Sequence, residues 1–274
     1  MKGISFGQYY PAESVIHRLD PRTKVILTIL YIVLTFLCKS AVAFAALVVS
    51  AILLVAVSRI PLGTVLRSLR AILFIVIFTS AINIFATKGE VLLTPETWTI
   101  RIYAEGLWRA LFMILRISVL IIGSGIFLTY TTTPIALTYA LESLLSPLKL
   151  IRVPVHDFAM MMSIALRFIP TLSEETEKIM NAQKARGADF TSGSLLKRAK
   201  ALVPILVPLF VSAFNRAFEL ASAMECRCYN SGKGRTQLRV LRFRASDWIL
   251  MLLVIGFGVG IFFLNRIGIG YTMN

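Results

Sequence analysis

Apolar residues in this chain come in long unbroken runs, not in the alternating or three-and-four spacing of half-buried elements. Between Lys39 and Arg59 lie 19 residues without a charge. Arg70 to Lys88 encloses 17, Arg116 to Glu142 encloses 25 and Asp247 to Arg266 encloses 18. A helix needs roughly 18–20 apolar residues to cross about 30 Å of hydrocarbon. A shorter run, Val25 to Cys38, reaches that length if Lys24 and Lys39 snorkel and the helix extends through Thr23 and Ser40. The pattern predicts five spans, near 23–40, 40–58, 71–87, 107–130 and 248–264. A short link, Arg59 to Arg70, holds Pro61 and Gly63. The mixed stretch 88–106, with Gly89, Pro95, Trp98 and Glu105, reads as a loop with one strand-like or interfacial turn.

Residues 131–246 follow neither pattern: they are too apolar for a plain loop and too charged for plain spans. Pro134 to Leu148 reads as a helix with proline at its first position. Pro154 to Arg167 is apolar and Met-rich, and Leu172 to Arg186 is a charged amphipathic helix. Lys200 to Arg216 encloses 15 uncharged residues. Pro204 and Pro208 within that run are expected to kink it or to break a backbone hydrogen bond. With positive charge on both sides, it reads as an interfacial or partner-packed segment, not a simple span. The expected fold is all-α: a polytopic membrane bundle of about five spans with a large cytoplasmic helical coupling domain. Residues 1–130 form a membrane domain of about four spans, 131–246 the coupling helices and 247–274 the last span.

Composition supports the membrane reading. The chain is 57% apolar and 16% charged, against about 25% charged in soluble domains. The net charge of +15 would suggest nucleic acid in a soluble protein, but no basic stripe is interleaved with aromatics. Of the 29 basic residues, 23 fall in 1–24, 59–70 and 131–246. The positive-inside rule then places the N-terminus and 131–246 in the cytoplasm, facing anionic lipid. Pro11, Asp20 and Pro21 precede any long apolar run, so no signal peptide is expected. Cys38, Cys226 and Cys228 make no disulfide framework, and the spacing of the last two suits neither a zinc knuckle nor a redox pair.

Familiar catalytic chemistry is missing. The chain has no phosphate-binding GxxxxGK[ST] and no HExxH, and its two histidines are His17 and His156. No expected span carries Asp or Glu, which argues against a proton-relay carrier. Arg116 within a span reads as structural. What remains is a pair of helix ends. Leu172, Thr176, Ile179, Ala182 and Arg186 share a face. Glu174, Glu175 and Glu177 are expected in the first turns and Arg186 in the last, as the helix dipole favours. Gly187 suits a left-handed cap. A second helix, from about Pro208, ends at Cys226-Arg227-Cys228. Along it Ala213, Ala217 and Ala221 form a small-residue ridge for close helix approach. Arginine suits a bidentate grip on a partner carboxylate. It is also an ordinary helix-end residue, so these residues alone leave docking and dipole matching both open.

Three separated motifs carry a resemblance. They are Tyr9-Tyr10-Pro11-Ala12-Glu13-Ser14 with His17-Arg18-Leu19-Asp20-Pro21-Arg22-Thr23-Lys24; Arg167-Phe168-Ile169-Pro170-Thr171-Leu172 leading to Ala182-Gln183-Lys184-Ala185-Arg186-Gly187; and Ala223-Met224-Glu225 leading to Arg227 and Tyr229. Together they resemble the transmembrane (T) component of energy-coupling factor transporters, the EcfT family, over nearly the whole chain. The resemblance implies a non-catalytic subunit without cofactor or metal in a prokaryotic cell membrane. It joins two ABC-type ATPases to a substrate-capture (S component) membrane protein that binds a vitamin or a transition-metal ion. It further implies that Ala185-Arg186-Gly187 and Cys226-Arg227-Cys228 each dock in one ATPase. The apolar face of 134–215 would carry the capture protein, which topples in the membrane. The cysteines around Arg227 depart from the family's Ala-Arg-Gly, and Cys228 is expected to lose the easy left-handed cap. The rival readings are a self-contained channel or secondary carrier, and an intramembrane enzyme.

Overall fold

A computed structural model describes residues 9–86, 91–93, 102–190, 194–229, 241 and 243–267. The chain is an all-α bundle of α1 (Pro21–Leu37), α2 (Ala41–Ser58), α3 (Leu62–Ala86), α4 (Ala104–Ser124), α5 (Pro134–Leu144), α6 (Val155–Ala185), α7 (Leu195–Cys226) and α8 (Ala245–Ile267). A π-helical turn, Gly125–Tyr130, continues α4, and a 3-10 turn, Ser146–Ile151, follows α5. The strand-like turn expected in 88–106 is a small antiparallel ribbon of β1 (Val91–Leu93) and β2 (Ile102–Tyr103). Gly89, Pro95 and Trp98 lie outside the described residues. Two compact units form, one from 1–140 with 241–274 and one from 141–240.

Among the described residues four helical stretches are long and apolar enough to cross a membrane: Ala41–Ser58, Ala110–Tyr130, Leu196–Cys226 and Ala245–Arg266. Three of them coincide with expected spans. The fourth lies in α7 and contains the run read as interfacial or partner-packed. Helix α7 is 32 residues long and begins at Leu195, earlier than the start near Pro208 that the sequence suggested, with Pro204 and Pro208 inside it. Likewise α6 runs 31 residues through Pro170, so the helix read from Leu172 begins at Val155. Proline's fixed φ is itself helical, so each costs a backbone hydrogen bond without ending the helix. The first expected span, α1, is 17 residues long.

In the first unit α1 packs against α4, the π-turn and α8. The core gathers Leu27, Tyr31 and Leu34 of α1 with Phe44 and Leu47 of α2, Phe127 and Tyr130 of the π-turn, and Ile261 of α8. Lipid tails are as apolar as leucine, so close packing holds such helices together. A side chain at Gly123 would collide with the Tyr31 ring, so that glycine permits the α1–α4 approach.

Polar groups fasten α1 at both ends. Asp20 caps its N-terminus, its Oδ1 accepting from Arg22 N at 2.9 Å, with Pro21 at the first position. Asp247 of α8 is 1% exposed. It accepts from Asp20 N at 2.9 Å and from Arg244 N at 2.7 Å, which ties the starts of α1 and α8 together. The Lys24 ammonium, 2% exposed, donates to the carbonyls of Thr131 at 2.7 Å and His17 at 3.2 Å. Tyr10 N donates to Tyr130 O at 3.0 Å. His17 Nε2 faces the Tyr10 carbonyl at 3.0 Å and therefore carries the proton, leaving Nδ1 to meet the Ser14 hydroxyl at 2.7 Å. At the other end Asn265 accepts from Lys39 N and Ser40 N at 3.1 and 3.0 Å and donates to Leu37 O at 2.8 Å. Arg116 donates to Cys38 O at 2.9 Å and lies 5.8 Å from the centre of the Phe44 ring. It closes the end of α1, as its structural reading expected.

Candidate functional site: two arginine-capped helix ends

Both arginines singled out in the sequence occupy the same position of the same motif. Arg186 (φ −84°, ψ 5°) is the last residue before the chain leaves α6, and Arg227 (φ −92°, ψ 15°) the last before it leaves α7. After Arg186, Gly187 N donates to Lys184 O at 2.9 Å and Ala188 N to Gln183 O at 3.0 Å. After Arg227, Cys228 N donates to Glu225 O and Tyr229 N to Met224 O, both at 2.9 Å. Each pair is the two-bond Schellman closure, which satisfies carbonyls the helix end would otherwise leave bare.

Gly187 sits at φ 86°, as its glycine suggested. Cys228 corrects the sequence reading, since it adopts the left-handed conformation at φ 53° without being glycine. A Cβ there costs about 1–2 kcal/mol, and the structure holds it with the two closing bonds and with the Tyr229 hydroxyl, which donates to Met160 Sδ on α6 at 2.8 Å. Ala185, Arg186, Gly187, Cys226, Arg227 and Cys228 are all exposed. Among the described residues neither guanidinium forms an ion pair. All three cysteines are free thiols.

The contact between the two helices was not foreseen. Glu175 Oε2 accepts from Arg216 Nη2 at 2.6 Å and Oε1 accepts from the Ser212 hydroxyl at 2.6 Å. The hydroxyl and the guanidinium hold the Glu175 carboxyl below its usual value of 4.5. The glutamates expected in a first turn are thus mid-helix, because α6 begins at Val155. Glu175 serves the neighbouring helix and not the dipole. One signal was available: Arg216 is the sole basic residue between Lys200 and Arg227.

Glu175 meets Arg216 while Met160 meets Tyr229, so α6 and α7 run antiparallel. Arg186 follows Glu175 by 11 residues, and Arg227 follows Arg216 by 11 in the opposite direction. At 1.5 Å per residue the two arginines stand about 33 Å apart along the hairpin, with the Glu175–Arg216 bridge midway. The rest of α7 is largely open. Ala213 is half-buried, and Ala217 and Ala221 are exposed. Phe210, Phe214 and Phe218 form an exposed row with ring centres 4.7 and 6.3 Å apart. Leu172 of α6 and Leu206, Leu209, Phe210 and Ala213 of α7 line an open apolar groove.

Four membrane-length apolar stretches, with an antiparallel hairpin that exposes an arginine at each tip, define a polytopic helical membrane protein. The profile of the family described as "CbiQ: Cobalt transport protein" matches residues 12–238. The energy-coupling factor transporter transmembrane protein EcfT of Ruminiclostridium cellulolyticum is 51% identical over 248 residues, 90% of this chain and 91% of that one. That of Thermosediminibacter oceani is 50% identical over 90% and 92%, and that of Bacillus subtilis 45% identical over 97% and 99%. The chain belongs to the EcfT family of energy-coupling factor transporter transmembrane proteins.

Proposed function

We propose that this chain is the coupling subunit of an ABC-type energy-coupling factor importer. It transmits the ATP-driven motion of two ATPase subunits to a membrane protein that captures a vitamin or a transition-metal ion, and it catalyses nothing itself. It resides in a prokaryotic plasma membrane with its N-terminus and residues 131–246 in the cytoplasm. Arg186 and Arg227 are the anchors, one per ATPase. The helices behind them are levers, and the open apolar face of α7, with its Ala213, Ala217 and Ala221 ridge, carries the capture protein. The single observation behind this reading is the repeated cap, which presents two unpaired guanidiniums at opposite ends of one hairpin. A guanidinium held at a rigid helix end loses little freedom on pairing with a partner carboxylate, which suits a mechanical link.

The test is co-purification of the tagged chain with its ATPases in detergent. Truncating one side of a buried charge-assisted pair costs about 2–5 kcal/mol of affinity. Arg186→Glu with Arg227→Glu should therefore remove both ATPases and abolish uptake. Retention of the ATPases by that double variant sinks the docking role. Failure of the wild type to hold any ATPase would favour a self-contained carrier.

A further inference from the structure

The 3-10 turn Ser146–Ile151 and the residues just after it combine an ordered backbone with side chains that the described residues leave largely open. Leu148 N donates to Leu145 O at 2.9 Å, Arg152 N to Lys149 O at 3.1 Å and Val153 N to Leu148 O at 3.3 Å. Arg152 takes the left-handed conformation at φ 62° to close the turn. The fold therefore fixes this shape, yet no residue of the turn is buried. Leu150 is 94% exposed and Ile151 77%. Lys149 and Arg152 alternate with them and are exposed too. From Ser143 to His156 the chain carries no carboxylate.

We infer that this turn is a membrane-surface anchor: Leu150 and Ile151 insert into the interfacial zone of the bilayer, and Lys149 and Arg152 pair with anionic lipid phosphates. Exposed aliphatic tips beside basic residues, with no acid between Ser143 and His156, match the anionic lipid–water boundary, where apolar burial and electrostatic attraction act together. A protein partner would call for a groove or an aromatic anchor; this turn offers aliphatic tips with charges between them. Reach agrees. The membrane-crossing stretch Ala110–Tyr130 ends shortly before α5, whose 11 residues measure about 16 Å at 1.5 Å per residue. The turn follows at once and cannot leave the vicinity of the bilayer. Anchored there, it would fix the start of α6 while the Arg186 tip stays free to move. The inference rests on the membrane character of the chain and not on the docking of either arginine.

The test places Leu150→Cys in the full chain with Cys226→Ser and Cys228→Ser, Cys38 being buried, and attaches an environment-sensitive fluorophore. The labelled chain is reconstituted in phosphatidylcholine vesicles with or without phosphatidylglycerol, with bromine-bearing acyl chains as quencher. Glu177→Cys on the exposed side of α6 is the control site. The anchor gives a non-polar, bromine-quenched signal at position 150 in the anionic vesicles and not at 177. Removing phosphatidylglycerol, or making Lys149→Glu with Arg152→Glu, lowers the inserted fraction by about five-fold per charge lost. A water-like signal in both lipids overturns the anchor. So does a non-polar signal that bromine does not quench, which would mean that a protein, a second copy included, covers the turn. Equal quenching with and without anionic lipid, unchanged by charge reversal, overturns the phosphate pairing.

Discussion

The two units of this protein treat polar groups in opposite ways. In the unit of 1–140 and 241–274, the polar side chains that fasten the ends of α1 are satisfied internally. Asp247 takes two backbone donors, the Lys24 ammonium two carbonyls and Asn265 a whole interhelical turn. In the unit of 141–240 the charges at the helix tips are unspent and the apolar residues of α7 face outward. Hydrocarbon punishes an unsatisfied polar group, which is the physical reason for pairing these groups inside the first unit. The second leaves its tip guanidiniums and the apolar side chains of α7 open. The difference separates side chains that stabilise the chain from those the proposed coupling role would use. It also reassigns the N-terminal signature: Tyr10, Ser14, His17, Asp20 and Lys24, which carry much of the family resemblance, are structural fasteners.

The contrast can be broken at several points. The largest effect is expected from Arg186→Glu with Arg227→Glu, which should lose ATPase binding and uptake while the thermal midpoint of the isolated chain stays unchanged. A fall in that midpoint would mean that the tips are structural after all. Next, Asp247→Ala leaves the buried Asp20 N–H and the half-buried Arg244 N–H without their acceptor. At about 1–3 kcal/mol for each orphaned group, thermal unfolding in detergent should come markedly earlier, with ATPase binding per folded molecule preserved. Unaltered unfolding would remove the claim that the first unit is held by its buried acids.

Smaller effects separate the two caps. Cys228→Gly relieves a left-handed Cβ and should stabilise the end of α7, whereas Gly187→Ala imposes one and should destabilise the end of α6, each by about 1 kcal/mol. Amide hydrogen exchange at the last turn reads both signs, and equal responses would contradict the cap geometry. The smallest effect belongs to the Glu175 bridge. Its carboxyl titrates below its usual value of 4.5, so its contribution is complete above that value and is lost as the pH falls through the lowered one. Contact between α6 and α7, followed by a distance probe pair, should loosen below pH 4.5 in the wild type. Glu175→Gln should show the loosened state at every pH and reduce uptake per ATP hydrolysed with little loss of ATPase binding. A wild-type and variant pair with the same pH response would remove the bridge from the mechanism.

Much of this was legible in the linear order of residues. Span-length apolar runs, the charge-poor composition and the two helix-end arginines all follow from local rules: hydrocarbon thickness, the dipole and the left-handed tolerance of glycine. Those rules gave the all-α bundle, the stretches Ala41–Ser58 and Ala110–Tyr130, and the cap at Gly187. Helix starts were less legible than helix ends. α6 begins at Val155 and α7 at Leu195, with Pro170, Pro204 and Pro208 inside them, because one lost hydrogen bond is small beside the rest of a 31- or 32-residue element. Cys228 accepts a strained conformation because the bonds around it compensate.

The sequence by itself determined the all-α class, three of the membrane-length stretches and where each arginine-bearing helix ends, since those depend on neighbours a turn away. Only the tertiary structure decided that Asp247 caps a helix more than 200 positions earlier, that Glu175 serves Ser212 and Arg216, and that the two arginines point from opposite ends of one hairpin. Such pairings have no local signature. They are fixed by which buried donor and acceptor must satisfy each other once the helices are in contact.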